Sequence, residues 1–185
     1  PTMCELCLPG HACGQGASAP AKCKAGTFAE SSGYTSCSSC VSGTYQPEEN
    51  ATACRVCDAG GYCLAGSVAR TACPAGTYNP ATHGASLADC IPCLKGSSCA
   101  AGAVAPALCA PGTYQDEVGQ HFCKPCKTGK CCTAPGTVSP QDSPCDKKRG
   151  SAAYFDAGRC RLCPIGYACD GSERIECPPG THSTN

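Results

Sequence analysis

The stretch CPAGTYNPATHGASLADCIPCLKGSSC, Cys73 to Cys99, decides the fold. It holds four cysteines, two glycine-centred turns and one aromatic residue, and almost nothing else that could fill a hydrophobic interior. Its CxxC pair, Cys90 and Cys93, has three readings: half of a metal site, a redox couple, or part of a staple.

Working outward, the four cysteines define a unit with positions a, b, c and d. A Gly-Thr-aromatic turn follows a; a polar stretch leads to b; two residues separate b from c; and d stands six positions after c. Full units begin at Cys40, Cys73, Cys109 and Cys145, at spacings of 33, 36 and 36 residues, and Cys177 opens another 32 residues later. Residues 1–22 form the tail of a unit, with Cys4 as b, Cys7 as c and Cys13 as d. Residues 23–39 are a half unit that carries only a and b. Units then occupy residues 40–72, 73–108, 109–144 (with an atypical exit) and 145–176 (degenerate), and residues 177–185 start one more. Repetition at such a period marks stacked modules.

Composition points the same way. Cysteine supplies 23 of 185 residues, whereas Val, Ile, Leu and Phe together supply 19 and Trp none. That cysteine share marks a disulfide scaffold; the bulky apolar share is too small for one large core. Formal net charge is zero, and the basic run Asp146–Gly150 reads as a solvated loop, not a nucleic-acid footprint. No apolar run reaches the roughly 18–20 residues of a membrane span, and no signal peptide is visible. Disulfides at this density belong to an oxidising, extracellular or cell-surface compartment. A processed chain, or an internal piece of a longer one, reconciles that compartment with the missing signal. The expected fold class is small disulfide-rich repeats in an elongated linear array without a single core, with short two-stranded β-ribbons and turns. The ribbons are expected to pair the Gly-Thr-aromatic segment with the approach to b.

Every c-to-d segment has glycine three residues after c, at Gly10, Gly60, Gly96, Gly129 and Gly166. Closing so small a cysteine loop calls for a positive φ there. Gly26, Gly43, Gly76 and Gly112 turn the chain after a, leaving Phe28, Tyr45, Tyr78 and Tyr114 to cover neighbouring disulfides.

The half unit restricts the pairing, which cysteine count alone does not. Only a–b with c–d keeps parity when c and d are deleted. This predicts Cys7–Cys13, Cys23–Cys37, Cys40–Cys54, Cys57–Cys63, Cys73–Cys90, Cys93–Cys99, Cys109–Cys123, Cys126–Cys132, Cys145–Cys160 and Cys163–Cys169. Cys4, Cys131 and Cys177 are left over. Cys4 is a b and Cys177 an a whose partners would lie beyond the sequence, as in a fragment of a longer array. Cys131 has three open fates: a free thiol, a cross-link to another chain, or a local shift of register.

Zinc requires four convergent ligands, and His11, His83, His121 and His182 occupy no repeated position. A thioredoxin-like couple calls for one CxxC at a helix start in a βαβ setting; here there are six, among glycines and prolines. The staple reading therefore stands, with no metal or cofactor and no catalytic constellation expected. Asn50-Ala51-Thr52 is an N-glycosylation sequon inside an a–b loop. Val138–Pro144 lengthens the d-to-a spacing from 10 to 13 residues and reads as a kink, a linker or an O-glycosylated patch.

The pattern C-P-A-G-T-Y … C-x-x-C-x-x-G-x-x-C resembles the ephrin-receptor-like cysteine-rich repeat of receptor ectodomains and of large protist and algal surface proteins. It is more distantly similar to the cysteine-rich modules of tumour necrosis factor receptors. The resemblance covers nearly all of residues 4–181 and departs at CDKKRGSAAY, at the half unit and at Cys131–Cys132. It implies an extracellular, disulfide-laddered rod. The expected role is a non-enzymatic structural or adhesive segment of a large glycoprotein that assembles with other protein chains, as in a filament such as a flagellar hair (mastigoneme). Two alternatives are a receptor ectodomain that binds a protein ligand and a variable surface antigen of a protist. The receptor reading calls for units with exposed aromatic or arginine clusters, such as Arg159 and Arg161 beside Tyr154 and Phe155.

Overall fold

A computed structural model describes residues 4–126, 130–132, 134–142, 153–156, 159–169 and 174–181. The fold is an array of small disulfide-rich repeats with little regular structure. The described residues contain no α-helix, one 3-10 turn at Leu87–Asp89, and antiparallel ribbons of two strands each. Most strands are two residues long.

A tight turn starts the described repeats. In Lys24–Thr27 the Thr27 N–H and hydroxyl both donate to the Lys24 carbonyl (3.0 and 2.7 Å). The same pair of bonds recurs for Thr44 on Val41, Thr77 on Pro74 and Thr113 on Ala110. Glycine holds the third turn position with φ near +83° at Gly26, as a type II turn requires. This accounts for Gly-Thr as a pair: one residue bends the backbone and the next ties it.

The c-to-d segments make the same turn. Gly10 and Gly60 have φ of 77° and 83°, and Ser97 takes threonine's part, donating to Leu94 O at 2.7 Å. Positions a and c are therefore one structural position, here termed the lead cysteine. The structural repeat is the half unit, led by Cys7, Cys23, Cys40, Cys57, Cys73, Cys93, Cys109 and Cys126.

In six of these the lead cysteine N–H donates to the carbonyl of the preceding turn glycine, as in Cys23 to Gly10 (2.9 Å), Cys40 to Gly26 (3.0 Å) and Cys109 to Gly96 (2.9 Å). That bond seats the two preceding residues against the strand after the glycine, giving pairs such as Thr27 with Ser39 and Thr44 with Val56. The partner strand is thus the centre of the CxxC, after b. This corrects the expectation that it would be the approach to b.

The chain divides into two compact units, Pro1–Ile91 with Ala100–Ala105, and Pro92–Cys99 with Pro106–Asn185. In the first, the turn glycine N–H bonds a carbonyl of the next half unit: Gly10 to Ala29, Gly26 to Gln46, Gly43 to Cys63, Gly60 to Asn79. The next half unit answers with a left-handed residue whose N–H reaches the lead cysteine carbonyl. Gly33 bonds Cys7, Asn50 bonds Cys23, Gly66 bonds Cys40, and His83 bonds Cys57. Contact also reaches two half units away. A Cβ on Gly26 would strike the Gly66 carbonyl, and one on Gly10 the Asn50 carbonyl. The second unit repeats the scheme, with Gly96 N–H on Gln115 O (2.7 Å), Gly119 on Cys93, Gly136 on Cys109, and Gly96 closed over by the Gly136 carbonyl.

The interior is sulfur. Among the described side chains, eleven of the fourteen buried apolar residues are cysteines, the others being Ala12, Ala29 and Tyr114. No Leu, Ile, Val or Phe among the described side chains is buried, and Leu6, Val41, Leu108 and Ile165 are more than 65% exposed. Tyr114 is buried, while Phe28, Tyr45 and Tyr78 are half-buried.

Gly26 and Gly66 separate backbone strain from packing. Both have positive φ, but a Cβ on Gly66 meets open space. Gly66→Ala should cost about 1–2 kcal/mol, the left-handed penalty alone. Gly26→Ala, which must also displace a backbone carbonyl, should cost roughly 3 kcal/mol or more. Denaturant midpoints measured with disulfides intact distinguish them; equal losses would remove the contact from the account.

Candidate functional site

The bridges are where the repeated chemistry lies. Eight are formed among the described residues: Cys7–Cys13, Cys23–Cys37, Cys40–Cys54, Cys57–Cys63, Cys73–Cys90, Cys93–Cys99, Cys109–Cys123 and Cys126–Cys132. Each CxxC splits its loyalties. Cys37 reaches back to Cys23 while Cys40 reaches forward to Cys54, and Cys90 and Cys93 likewise belong to different bridges.

Cys163 is also disulfide-bonded. The pairs Cys145–Cys160 and Cys163–Cys169 involve Cys145 and the side chains of Cys160 and Cys169, which lie outside the described part of the molecule. The Cys131 side chain does too; its backbone stands in the ribbon Lys130–Cys131, opposite Gln141 and Asp142. Gly129, His182 and the run Asp146–Gly150 are likewise outside it, as are the side chains of Arg159, Tyr154 and Phe155. Cys4 is unbridged and exposed, and Cys177 unbridged and half-buried. Among the described residues no group of His, Cys, Asp and Glu converges as a metal-ligand set, and no helix is long and apolar enough to cross a membrane.

Lead cysteines close in two ways: over six residues in the c–d half units, or over 14 or 17 in the a–b half units. One position decides between them. Three residues beyond the turn glycine stands d itself (Cys13, Cys63, Cys99, Cys132) or, in a–b half units, Ala29, Gln46, Asn79 or Gln115. The polar three are buried, Gln115 completely. Gln46 donates to Ala53 O (2.7 Å) and accepts from Glu48 N–H (3.1 Å). Gln115 makes the same pair with Phe122 O and Glu117 N–H. The amide braces from within a loop that no short bridge ties. Asn79 accepts from Ala81 N–H and donates to Gly61 O at 3.0 Å, in the preceding half unit. Sequence reading passed over these residues, although the signal was present: GTYQ, GTYN and GTYQ place an amide directly after three of the aromatics.

The braced loops are the exposed, variable part of the array. Arg55 bonds Glu48 at 2.6 Å in one, and Lys124 bonds Asp116 at 2.7 Å and Glu117 at 3.3 Å in another. The hydrogen bond from Lys124 holds the Asp116 carboxyl below its usual range, and the same bond raises Lys124. Both residues are solvated, where such pairs contribute little. The loop of the Cys73–Cys90 half unit departs most. Its extra residues form the 3-10 turn, capped by Asp89 on Ala85 and Ser86 N–H (2.7 and 2.9 Å). An open depression of ≈ 350 Å³ lies beside it, lined by Asn79, Pro80, Thr82, His83, Asp89 and Ile91.

Two outcomes follow from the bracing position. Gln115→Ala leaves the Phe122 carbonyl and Glu117 N–H without their partner and should cost about 1–3 kcal/mol, read from denaturant unfolding. Gln115→Cys combined with Cys123→Ser should convert the half unit to the short closure. Non-reducing peptide mapping should then find Cys109 bridged to position 115; recovery of Cys109 as a free thiol would refute the equivalence of the two classes.

Comparison of the chain with protein-family models and with curated proteins finds no match.

Proposed function

We propose that this chain is a non-enzymatic structural segment of a large extracellular glycoprotein, one that spaces or assembles neighbouring domains. Small repeats held by disulfides are compatible with an extracellular structural or binding module, since such bridges persist in oxidising compartments. The structural role is supported above all by the backbone lattice. Successive half units share hydrogen bonds at fixed positions, so the array extends by addition without a new kind of interface. Its exposed loops vary while the bridged frame repeats, which suits lateral contact with other chains. The motif's resemblance to the ephrin-receptor-like repeat supports the same setting, and an array of this kind would serve as a rod within a filament such as a flagellar hair.

The receptor reading has its own support in the loop of the Cys73–Cys90 half unit, where the open depression and 3-10 turn break the repeat average. An edge-on His121–Phe122 pair (centroids 4.9 Å apart), with Phe122 half exposed, is a second departure. A variable surface antigen would use the same frame with diversity confined to these loops.

The structural reading is tested on native material. The protein should be recovered from the extracellular fraction in high-mass assemblies, with cross-linked peptides mapping to the a–b loops. A monodisperse native protein without lateral or end-to-end contacts, captured by a soluble ligand that Phe122→Ala or deletion of Ala85–Ala88 releases, would replace it with the receptor reading.

A further inference from the structure

We infer that Asn50 is an N-glycan acceptor whose backbone is fixed by the repeat lattice while its amide nitrogen is left free for the sugar. The inference rests on the extracellular reading above. In half unit after half unit one residue takes a left-handed conformation and sends its N–H to the lead cysteine carbonyl of the preceding half unit. Gly33, Gly66, Gly102, Gly119 and Gly136 do so, and the slot holds His83 and Asn50 elsewhere. Asn50 has φ of 62°, donates its N–H to Cys23 O at 2.7 Å, and sets its carbonyl and its side-chain Oδ1 against Gly10. Asparagine is the residue that best replaces glycine in that conformation, so the slot alone explains its backbone.

The slot does not explain Thr52. Thr27, Thr44, Thr77 and Thr113 all commit their hydroxyls to turn carbonyls. Thr52 is exposed, and neither its hydroxyl nor the Asn50 side-chain amide has a hydrogen-bond partner among the described residues. Two residues after the other slots stand Thr35, Val68, Ala85, Val104, His121 and Val138, none following an asparagine. Only in the half unit led by Cys40 do acceptor and hydroxyl coincide. Pro47–Asn50 are all exposed, so a bulky sugar meets no packed surface. In the transfer, the Asn50 amide nitrogen forms a bond to the anomeric carbon of a lipid-pyrophosphate-linked oligosaccharide. The carbon–oxygen bond to the pyrophosphate breaks, the lipid pyrophosphate leaves with the electron pair, and the amide proton is lost.

Secretion of the 185-residue chain from a eukaryotic host, followed by intact mass measurement before and after peptide N-glycosidase, tests this. Wild type should carry an oligosaccharide that the enzyme removes, leaving aspartate at position 50. Thr52→Ala keeps Asn50 in its slot, and Asn50→Gly keeps the left-handed backbone; both should lose the sugar entirely and retain the bridge map and denaturant midpoint. Asn50→Ala should lose the sugar and also shift the midpoint down. Secreted, fully bridged wild type with unmodified Asn50 overturns the inference and leaves the extracellular reading intact. A chain retained in the cell with free thiols overturns both.

Discussion

A lead cysteine has three groups to place, and the array depends on where each goes. Its sulfur bridges within its own half unit, its N–H reaches back to the preceding turn glycine, and its carbonyl accepts from the half unit that follows. Cys40 does all three, with Cys54, Gly26 and Gly66. Few residues are so fully engaged, and none of these bonds depends on oil-like packing. A chain with 23 cysteines and hardly any buried aliphatic side chain thereby still obtains an interior. Chain entropy sets the scale: closing loops of six and 14 residues contributes on the order of 5 kcal/mol for a pair of bridges. That matches the net stability of a small domain.

The bridges alone would give independent loops. What couples them is glycine, at positions where a side chain is excluded twice over. At Gly26 the turn demands a positive φ, and the Gly66 carbonyl occupies the place of a Cβ. Stability in such an array is shared between a half unit, its neighbour and the one after that, a longer reach than the nearest-neighbour coupling of most solenoids. The loops join this frame through the backbone of Asn50, His83 and Gly119, and their charged side chains stand outside it. Their solvated ion pairs, Arg55–Glu48 and Lys124–Asp116, ornament the surface without determining the fold.

Much of this was legible in the sequence, for a physical reason. Cysteine spacing records a covalent constraint, and deletion of half a unit at residues 23–39 exposes the pairing through parity. Glycine three residues after c records a turn. The lattice was not legible, because backbone donors and acceptors carry no residue signature. Ala29, Gln46, Asn79 and Cys63 all offer the same carbonyl to a turn glycine. The partner strand was misplaced for that reason: side-chain pattern cannot reveal that Cys40 N–H pins Ser38 and Ser39 beside Thr27 and Phe28. The bracing amides were missed because three glutamine or asparagine residues in polar loops look like solvated filler until their burial is known.

The half unit also explains why irregular insertion does no harm. In a repeat of four cysteines, residues 23–39 would be a defect that throws every later unit out of step. In a repeat of one lead cysteine they are an ordinary member that happens to use the long closure. Gly26 meets Gly66 as Gly43 meets His83, whichever closure the partner carries. The lattice reads only backbone position, so short and long closures are interchangeable rungs. Lead-to-lead spacing is 16 residues with the short closure (Cys57 to Cys73) and 17 with the long one (Cys40 to Cys57), so either closure leaves a surface stretch of similar length, tied at its far end only by the long bridge. Moving the second cysteine of a bridge between the short and the long closure position therefore ties or releases a surface loop, with the frame beneath unchanged.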